Sequence, residues 1–496
     1  MKKYTLILIS ILSTILLYAQ EQPIVLTLTK TIEMAKDSSL EAFRTQNMYL
    51  ASYWQFRTYK ANRLPSLSMN LMPAQYYRDI TKRYDSQSNM DIYREQQTYT
   101  ASGGLAVKQN FDLTGGAFFL ESNLSYMRNF GTSSFDQFTS VPIRLGYRQD
   151  LVGYNPFKWE RAIEPVRFEE AKRKLLYNTE AIAEQSTEQF FALALAQTEY
   201  DMAVDNLASS DSLFKIGEQR YAIASITQAE LLTLKLDVVN ARNTLQNAVS
   251  GLKRAMFSLA SYLNLEKNTQ LRVTLPVRTR PIDINIDRAL ELVKDNNPQM
   301  KELERQLLEA RQQVDKTYKE ALFNASINAS IGFNQVAYDF LGAYRNPMQQ
   351  DLVALSVSMP LIDWGVRKGK HNMAKNNLMV SQISAQQSEV NLEKDVIVTV
   401  EDFHVQQSQI ATAEEAFDLA SLAYNETKLR FMIGKADVNS LTLALNRQQT
   451  AQRNYVSALQ KYWMSYYKLR KLTLYDFELG FPLSTTFETI INNKRN

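Results

Sequence analysis

The chain carries two copies of one sequence plan, and this duplication constrains its fold more than any other feature. Residues Thr31–Leu40 recur as Ala289–Pro298, 258 positions later, and Arg220–Ile226 recur as Arg430–Ala436, 210 positions later. Chance similarity between amphipathic helices is the alternative, but the copies also share the order of their element types, which favours duplication. Because the offsets differ by 48, the first copy holds 48 extra residues between these landmarks. The sequence therefore predicts two structural repeats.

Each repeat opens with a helical pattern, over Thr29–Asn62 in the first and Asp287–Leu322 in the second. The hydrophobic period then changes to two, which is typical of strands with one apolar and one polar face. Two clear strands are predicted in each repeat. Their apolar positions are Leu67, Met69 and Leu71, then Val141, Ile143, Leu145 and Tyr147 in the first repeat, and Ile327, Ala329, Ile331 and Phe333, then Val353, Leu355, Val357 and Met359 in the second.

Very long helical patterns follow the strands of each repeat. They cover Trp159–Phe214 and Gln228–Leu265 in the first repeat, and Lys368–Phe431 and Val438–Leu472 in the second. Apolar residues recur at three- and four-residue spacing, which predicts coiled-coil packing against neighbouring helices. A helical run of ~60 residues is ~90 Å long. Such a length exceeds that of a globular helix and favours a tube.

These patterns divide the chain into five segments. We predict a signal peptide at 1–20, repeat 1 at 21–265 with its strand region at 64–151, a linker at 266–282, repeat 2 at 283–475 with its strand region at 322–361, and a C-terminal tail at 476–496. Lys2 and Lys3, the apolar run to Leu17 and a cleavage region near Ala19 indicate the signal. A membrane anchor is the alternative, but the run is shorter than the ~20 apolar residues that span a bilayer.

Composition argues against several classes of function. The sequence has no cysteine, so disulfides, thiol metal sites and a lipid anchor on an N-terminal cysteine are excluded, and it has only two histidines. Zinc sites and histidine-based catalysis therefore lack their commonest residue. The formal charge of +4 does not indicate a nucleic-acid partner. There is no glycine-rich phosphate loop, nucleophile elbow or metal-ligand spacing. We predict that the chain is not an enzyme and has no cofactor or metal.

Strands with one apolar face belong either to a soluble sandwich or to a membrane barrel that is apolar toward lipid and polar toward its lumen. The sequence leaves no residues for a covering layer, because the strands lie between long helices. Four strands cannot close a membrane barrel, since the smallest have about eight strands and open edges are not tolerated in lipid. Three chains of four strands would supply about twelve. The predicted fold class is an α+β membrane protein, with a long antiparallel coiled-coil α-barrel and a β-barrel shared between three protomers.

Aromatic and basic residues beyond the strands agree with a membrane position. Tyr154, Phe157 and Trp159 follow the strands of repeat 1 and Trp364 follows those of repeat 2, as a membrane girdle does. Basic residues come next in both repeats and are interpreted as contacts to lipid headgroups, with a solvated helical turn as the alternative. They are Lys158, Arg161, Arg167, Lys172, Arg173, Arg367, Lys368, Lys370 and Lys375. Arg144 and Arg148 are predicted to face the barrel lumen, which suggests some preference for anions.

Several short motifs resemble the TolC family of outer-membrane efflux proteins. They are Leu26-Thr-Leu28, Ala289-Leu290 with Asn297-Pro298, Leu64-Pro-Ser-Leu67, Arg430-Phe431 with Gly434, Asp437 and Leu441, and Asn454–Leu459 with Tyr462. Each motif is weak alone, but their order extends over roughly Pro23 to Phe477 and is specific. The resemblance implies a homotrimer with its barrel in the outer membrane and its helical tunnel in the periplasm. It also implies docking on a periplasmic adaptor that serves an inner-membrane pump of the RND or ABC type.

By the same resemblance, the tips of the two helical hairpins dock on the adaptor. The implied docking residues are Arg220, Tyr221, Ala224, Ser225, Ile226, Arg430, Phe431, Gly434, Lys435 and Asp437. Gly434 suits a helix reversal because it accepts a positive φ. Ala224 is its equivalent in repeat 1, so a different turn is expected there. Candidates for a constriction of the tunnel mouth are Gln228, Glu230, Asp437 and Ser440. Asp437 has the alternative role of capping the returning helix.

The sequence therefore predicts an outer-membrane export channel for small molecules such as drugs and toxic compounds. An exit duct for type I protein secretion and an exported coiled-coil scaffold without a channel remain as alternatives. The extra residues of repeat 1 lie between Leu64 and Asp150. Within them, the polar segment Arg78–Gln97 suits an outward loop, and Gly104–Asn129 alternates as strands do. These residues are expected to form an extracellular elaboration, with extra barrel strands as the alternative.

Overall fold

The computed structural model describes residues 23–130, 134–276 and 281–486. The predicted signal peptide, the middle of the linker and the last ten residues lie outside the described residues. The chain forms two compact units. The sheet unit comprises Ala51–Glu170 and Lys301–Ser388, and the helical unit comprises the described residues of Met1–Leu50, Ala171–Met300 and Glu389–Asn496.

The opening helices of the two repeats correspond residue by residue. Strand β1 (Ile24–Leu26) precedes α1 (Leu28–Ser38) and α2 (Leu40–Ala61), and their counterparts in repeat 2 are α5 (Ile286–Asn296) and α6 (Pro298–Ala321). Helix α1 is capped by Thr27 and α5 by Asn285, which lie 258 positions apart. A short strand, β6 (Leu271–Val273), pairs in parallel with β1.

Both of these predicted helices are interrupted once. The break falls at Ser39 (ψ 149°) and at Asn297 (ψ 131°), again 258 positions apart. Asn297 precedes a proline, which disfavours the helical conformation of the preceding residue. The side chains of Ser39 and Asn297 accept hydrogen bonds from the amides of Ala42 and Gln299, at 3.1 and 2.9 Å, and so start the next helix.

The sheet unit contains one antiparallel sheet of six strands. The strands are β2 (Ser66–Asp85), β3 (Met90–Phe111), β4 (Gly116–Asn129), β5 (Phe135–Asp150), β7 (Asn324–Ala337) and β8 (Met348–Ser358), paired in this order. The sequence predicted about four strands for each chain, and the structure corrects this number to six. The alternating segment Gly104–Asn129 pairs within the sheet on both sides, so most of the extra residues form strands of the sheet.

Four long helices complete the two repeats. Helices α3 (Pro156–Ala222) and α7 (Val366–Met432) have 67 residues each, and the returning helices α4 (Gln228–Tyr262) and α8 (Val438–Thr473) have 35 and 36. A helix of 67 residues is about 100 Å long. No helix in the described ranges is both long enough and apolar enough to cross a membrane.

The core of the helical unit combines aromatic side chains with a buried ion network. Phe190, Phe191 and Phe403 are fully buried there. The buried Glu180 lies 2.9 Å from Lys36 Nζ and 2.8 Å from Arg470 Nε. Arg470 also pairs with Asp476 in strand β9 (Tyr475–Asp476), which pairs with β10 (Phe481–Pro482). The described part of the predicted tail is thus tied to this core.

Candidate functional site

The two hairpin tips use the same turn. Ala224 has a φ of +55° and Gly434 a φ of +80°. In both tips the amide of the next residue donates to the carbonyl five residues earlier, from Ser225 to Arg220 and from Lys435 to Arg430, each at 2.8 Å. This is the hydrogen bond of a Schellman motif, which ends a helix with one left-handed residue. The expectation of a different turn at Ala224 is therefore wrong, because alanine occupies the left-handed region here.

The returning helices begin with matched caps. Thr227 accepts a hydrogen bond from the Glu230 amide at 3.2 Å, while the Glu230 carboxylate accepts one from the Thr227 amide at 2.7 Å. Asp437, 210 positions after Thr227, accepts a hydrogen bond from the Ser440 amide at 2.7 Å. Hydrogen bonds from Thr227 lower the pKa of Glu230, and those from Ser440 lower the pKa of Asp437. Both carboxylates considered for a tunnel constriction thus have capping bonds.

Side chains of the two tips also contact each other. The Arg220 guanidinium lies 5.3 Å from the centre of the Phe431 ring, a cation–π distance. Phe431 is buried in a small cluster with Leu213, Leu234 and Leu441, and the partly buried Ile226 packs against that cluster. The other predicted docking residues, Tyr221, Ser225, Arg430 and Lys435, are exposed, as are Gln228 and Ser440.

Two exposed isoleucines at the tips were not among the predicted docking residues. Ile223 is 76% exposed and Ile433 is 66% exposed. They lie 210 positions apart, and each directly precedes the residue with positive φ. The predicted docking residues included Ile226 and Phe431 but not the residue directly before each left-handed position. The repeat of an apolar residue at this one position of both turns was the signal that could have found them.

Arg144 and Arg148 lie on the same face of β5. One row of that face is polar or small on all six strands, and it consists of Ser68, Ala106, Glu121, Arg144, Gly332 and Gln350. Arg144 forms an ion pair with Glu121 of the neighbouring strand. The Glu121 carboxylate therefore offsets one of the two positive charges on which the predicted anion preference depends.

The predicted girdle residues have different surroundings. Trp364 is 94% exposed, in a turn with a φ of +53°. Trp159 is half-buried and its Nε1 donates to Asp315 at 2.8 Å, while the Tyr154 hydroxyl accepts from Gln312 Nε2 at 2.6 Å. Phe157 is also half-buried. These three side chains of repeat 1 are therefore partly packed, unlike Trp364.

Several of the predicted headgroup contacts have intramolecular partners, including Arg173, which donates to the Asp295 carbonyl. Arg167 lies 2.7 Å from Glu309, and the Arg367 guanidinium donates to the Leu322 carbonyl at 3.2 Å. Within the described residues, no group of three or more His, Asp and Glu side chains is placed to hold a metal ion.

The comparisons with known proteins agree with this geometry. Residues 289–473 match the model of a family described as outer membrane efflux protein. No curated protein matches the chain. Among solved structures, the chain is similar in fold to the CmeC outer membrane channel of Campylobacter jejuni, with 13% identity, a TM-score of 0.67 and coverage of 94% of this chain and 88% of CmeC.

Two further structures have the same fold. The outer membrane protein VceC of Vibrio cholerae has 14% identity and a TM-score of 0.64, and covers 90% of this chain and 95% of its own. The outer-membrane channel OprN has 14% identity and a TM-score of 0.65, and covers 91% of this chain and 90% of its own. At these identities the likeness concerns the fold.

The chain thus has the fold of solved outer membrane channels. The family match lies within repeat 2, so residues 289–473 are similar to outer membrane efflux proteins. The likeness of fold confirms the predicted class of long helices with a sheet, and the partial family match agrees with the predicted location in the outer membrane.

Proposed function

We propose that the chain forms a homotrimeric exit duct that docks on a periplasmic adaptor and an inner-membrane pump of the RND or ABC type. Its cargo is small molecules, such as drugs and toxic compounds, which leave through the outer membrane. In this proposal the sheet lies in the membrane and contacts lipid, and the hairpin tips meet the adaptor. Gln228, Glu230, Asp437 and Ser440 then line the mouth of the tunnel.

The two-faced sheet supports a membrane channel. The apolar hydrogen-bonded row Leu67, Val107, Leu120, Leu145 and Ile331 lies on the face opposite the polar row. Of these side chains, Leu67, Leu120, Leu145 and Ile331 are exposed large hydrophobics. An exposed apolar sheet face of this extent is unfavourable in water and suits lipid. Six strands are too few to close a barrel, because the smallest membrane barrels have about eight, so several copies must share one.

The observation that carries the docking proposal is the pair of exposed isoleucines on identical turns. Ile223 lies near Arg220 in the first tip, and Ile433 lies near Arg430 and Lys435 in the second, so each tip has an exposed apolar side chain next to basic ones. Apolar side chains at the centre of a polar patch are typical of protein interfaces. The matched caps on Thr227 and Asp437 hold both turns in one conformation, so binding costs little ordering of the chain.

A single cysteine tests the docking proposal, because the sequence has none of its own. Lys435→Cys carries a thiol-specific photo-crosslinker in intact cells, and captured proteins are identified by mass spectrometry. Lys267→Cys is the matched control, since Lys267 is an exposed lysine in the loop after α4. We expect Lys435→Cys to capture a periplasmic adaptor and Lys267→Cys not to capture it.

The outcome also separates the alternatives. An adaptor that serves a drug pump supports small-molecule efflux, whereas one that serves an ABC protein exporter supports type I secretion. If Lys435→Cys captures nothing while the protein is present in the outer membrane, the tips are not docking sites and the scaffold interpretation gains. Ile223→Asp with Ile433→Asp should abolish the capture if the isoleucines form the interface.

A further inference from the structure

We infer that all six strands of the sheet stand in the wall of the barrel, so that three copies close a barrel of about eighteen strands. The inference rests on the proposed trimeric channel and deepens it. Repeat 1 has two strands, β3 and β4, that repeat 2 lacks. The inference places them in the membrane wall and not in an extracellular elaboration. It also assigns the edge of β2 to pairing with the edge of β8 in a second copy of this chain.

The faces of the sheet run through the extra strands without interruption. On β3, Val107 pairs with Leu67 of β2 and with Leu120 of β4, and Leu120 pairs with Leu145 of β5. Paired residues lie on the same face of a sheet, so the apolar face is continuous from β2 to β5. The polar row through Ala106 and Glu121 is continuous in the same way. In a sheet without a covering layer, strands outside the membrane would not need this separation.

The distal part of the β2–β3 hairpin shows the contrast. The pairing shifts register between Met72 and Gln75, and from the pair of Arg78 and Gln97 outward β2 and β3 pair only with each other as a two-stranded ribbon, down to Asp85 and Met90. Successive residues there put charges on both faces, including Arg78 and Asp79. Cross-strand ion pairs join Arg78 to Glu95, and Lys82 to Asp91 at 2.7 Å. This ribbon has the composition of an aqueous segment, whereas Gly104–Asn129 does not.

Strand β4 carries an aromatic residue at each end of its apolar face. Phe118 lies 6.1 Å from the Phe111 ring on β3 and 4.5 Å from the Tyr147 ring on β5. Tyr126 lies 6.2 Å from Tyr99 on β3 and 5.0 Å from Phe138 on β5. Eight residues separate Phe118 from Tyr126, which is ~27 Å along a strand. That distance matches the ~25 Å apolar band between two aromatic girdles of a membrane barrel. Strand β4, one of the two extra strands, therefore contributes an aromatic residue to each girdle.

The strand number is compatible with closure. In the described sheet, β2 and β8 are the outer strands, with one neighbour each. Because six antiparallel strands are an even number, β2 and β8 run in opposite directions, so β2 of one copy meets β8 of the next as an antiparallel pair. Bacterial membrane barrels of a single chain have an even number of antiparallel strands, and lipid does not tolerate open edges. A second copy of this chain satisfies both edges at once.

Spin labels on single cysteines test where β4 lies. The protein is reconstituted in lipid vesicles and labelled in turn at Leu120→Cys and Leu124→Cys on the apolar face, and at Asn123→Cys and Ser125→Cys on the polar face. Leu145→Cys on β5 is the control for lipid, and Ile80→Cys on the ribbon is the control for water. We expect labels at Leu120 and Leu124 to collide with oxygen as at Leu145, and labels at Asn123 and Ser125 to collide with a water-soluble nickel chelate.

A second measurement tests the junction between copies. Ser68→Cys on β2 is combined in turn with Leu352→Cys, Ala354→Cys and Ser356→Cys on β8, which sample three registers on the polar face. Oxidation is expected to give a covalent trimer with at least one of these pairs. Ser68→Cys with Ala106→Cys, paired within one chain, is expected to form a disulfide without a change of mass.

The spin-label measurement and the disulfide measurement test different parts of the inference, so either can give a negative result without the other. If labels on β4 collide only with the nickel chelate while a covalent trimer forms, the six-stranded wall is wrong and the trimeric channel stands. If labels on β4 alternate between lipid and water but each β2–β8 pair leaves the chain monomeric, the shared barrel is wrong, and the proposed trimer with it. Alternation on β4 together with a covalent trimer supports the inference.

Discussion

The helical hairpins of the two repeats agree position by position, whereas their strand regions differ. Helices α3 and α7 have 67 residues each and start and end 210 positions apart, and the same left-handed turn follows both. Repeat 1, however, contributes four strands to the sheet and repeat 2 contributes two. A helix that packs along its whole length cannot gain residues without moving every later contact. An antiparallel sheet can gain a whole hairpin, because two added strands return the chain to the same end and direction.

The repeats also differ in buried charge. Glu180 is 3% exposed in the ion network of the helical unit, while the equivalent residue 210 positions later, Val390, is 53% exposed. The duplication therefore preserved the backbone of the two hairpins and assigned different environments to their side chains. Substitutions at equivalent positions of the two repeats test how far their equivalence extends.

The largest effect is expected from Glu180→Ala. This change removes the carboxylate that lies within 3 Å of both Lys36 and Arg470. Breaking a buried ion pair from one side costs about 3–5 kcal/mol of unfolding free energy, because a charge remains buried without its partner. Denaturant unfolding followed by circular dichroism measures it. Val390→Ala is the control and should change the unfolding free energy by less than about 1 kcal/mol. Equal effects of the two variants would contradict the difference between the repeats.

The next effect concerns charge on the polar face of the sheet. Repeat 1 has Arg144 and Arg148 where repeat 2 has Ala354 and Ser358, 210 positions later. Arg144→Glu with Arg148→Glu should shift the permeability ratio toward cations by at least about twofold, because pore-lining charge sets the local ion concentration. Reversal potentials in planar bilayers measure the ratio. Glu121→Gln should shift it the other way, since it removes the partner of Arg144. No shift in either variant would place these residues outside the pore.

A smaller effect of opposite sign is expected at the two tips. Gly434→Ala puts a side chain on a residue with a φ of +80° and should destabilise its turn by about 1–2 kcal/mol. Ala224→Gly relieves the same strain and should stabilise the first turn by up to about 1 kcal/mol. Hydrogen exchange of the Lys435 and Ser225 amides, which close the two turns, reports each effect. Changes of the same sign in both tips would show that the turns are not equivalent.

The smallest effect is a pH dependence of the second tip. The Ser440 hydrogen bonds lower the pKa of Asp437 in the folded protein. The stabilisation is therefore fully present above the unfolded pKa of about 4 and is lost as the pH falls through the lower, folded pKa. Protection of the Ser440 amide, corrected for intrinsic exchange, should decrease over this window. Asp437→Asn still caps the helix and should remove the dependence, so the same decrease in that variant would exclude Asp437 as its cause.

The helices and the apolar strand faces could be predicted because both rest on local periodicity. Successive residues of β7, such as Ile327 and Asn328, alternate in the sequence as they do in the sheet. The same alternation was visible in Gly104–Asn129, but it did not show that this segment pairs with strands on both sides in one sheet. Periodicity shows that a segment is a strand, and it does not show which strand becomes its neighbour.

The candidate site was predictable only in part, for a similar reason. The positions of both tips follow from the repeat, and the Asp437 cap follows from its place before α8. The turn at Ala224 does not follow, because the cost of a positive φ is repaid by hydrogen bonds and packing that the local sequence does not reveal. The contact between Arg220 and Phe431 joins residues 211 positions apart and has no local signal.

The sequence alone determined the two repeats, the type and order of their elements, the length of the helices and the positions of the tips, because these depend on the period of side chains along a single segment. Only the tertiary structure decided that six strands pair in one sheet and that Glu121 forms an ion pair with Arg144. It also decided that Glu180 lies in a buried ion network while Val390 is exposed. These outcomes depend on hydrogen bonds and contacts between segments far apart in the chain, and their free energies are settled only when the segments meet.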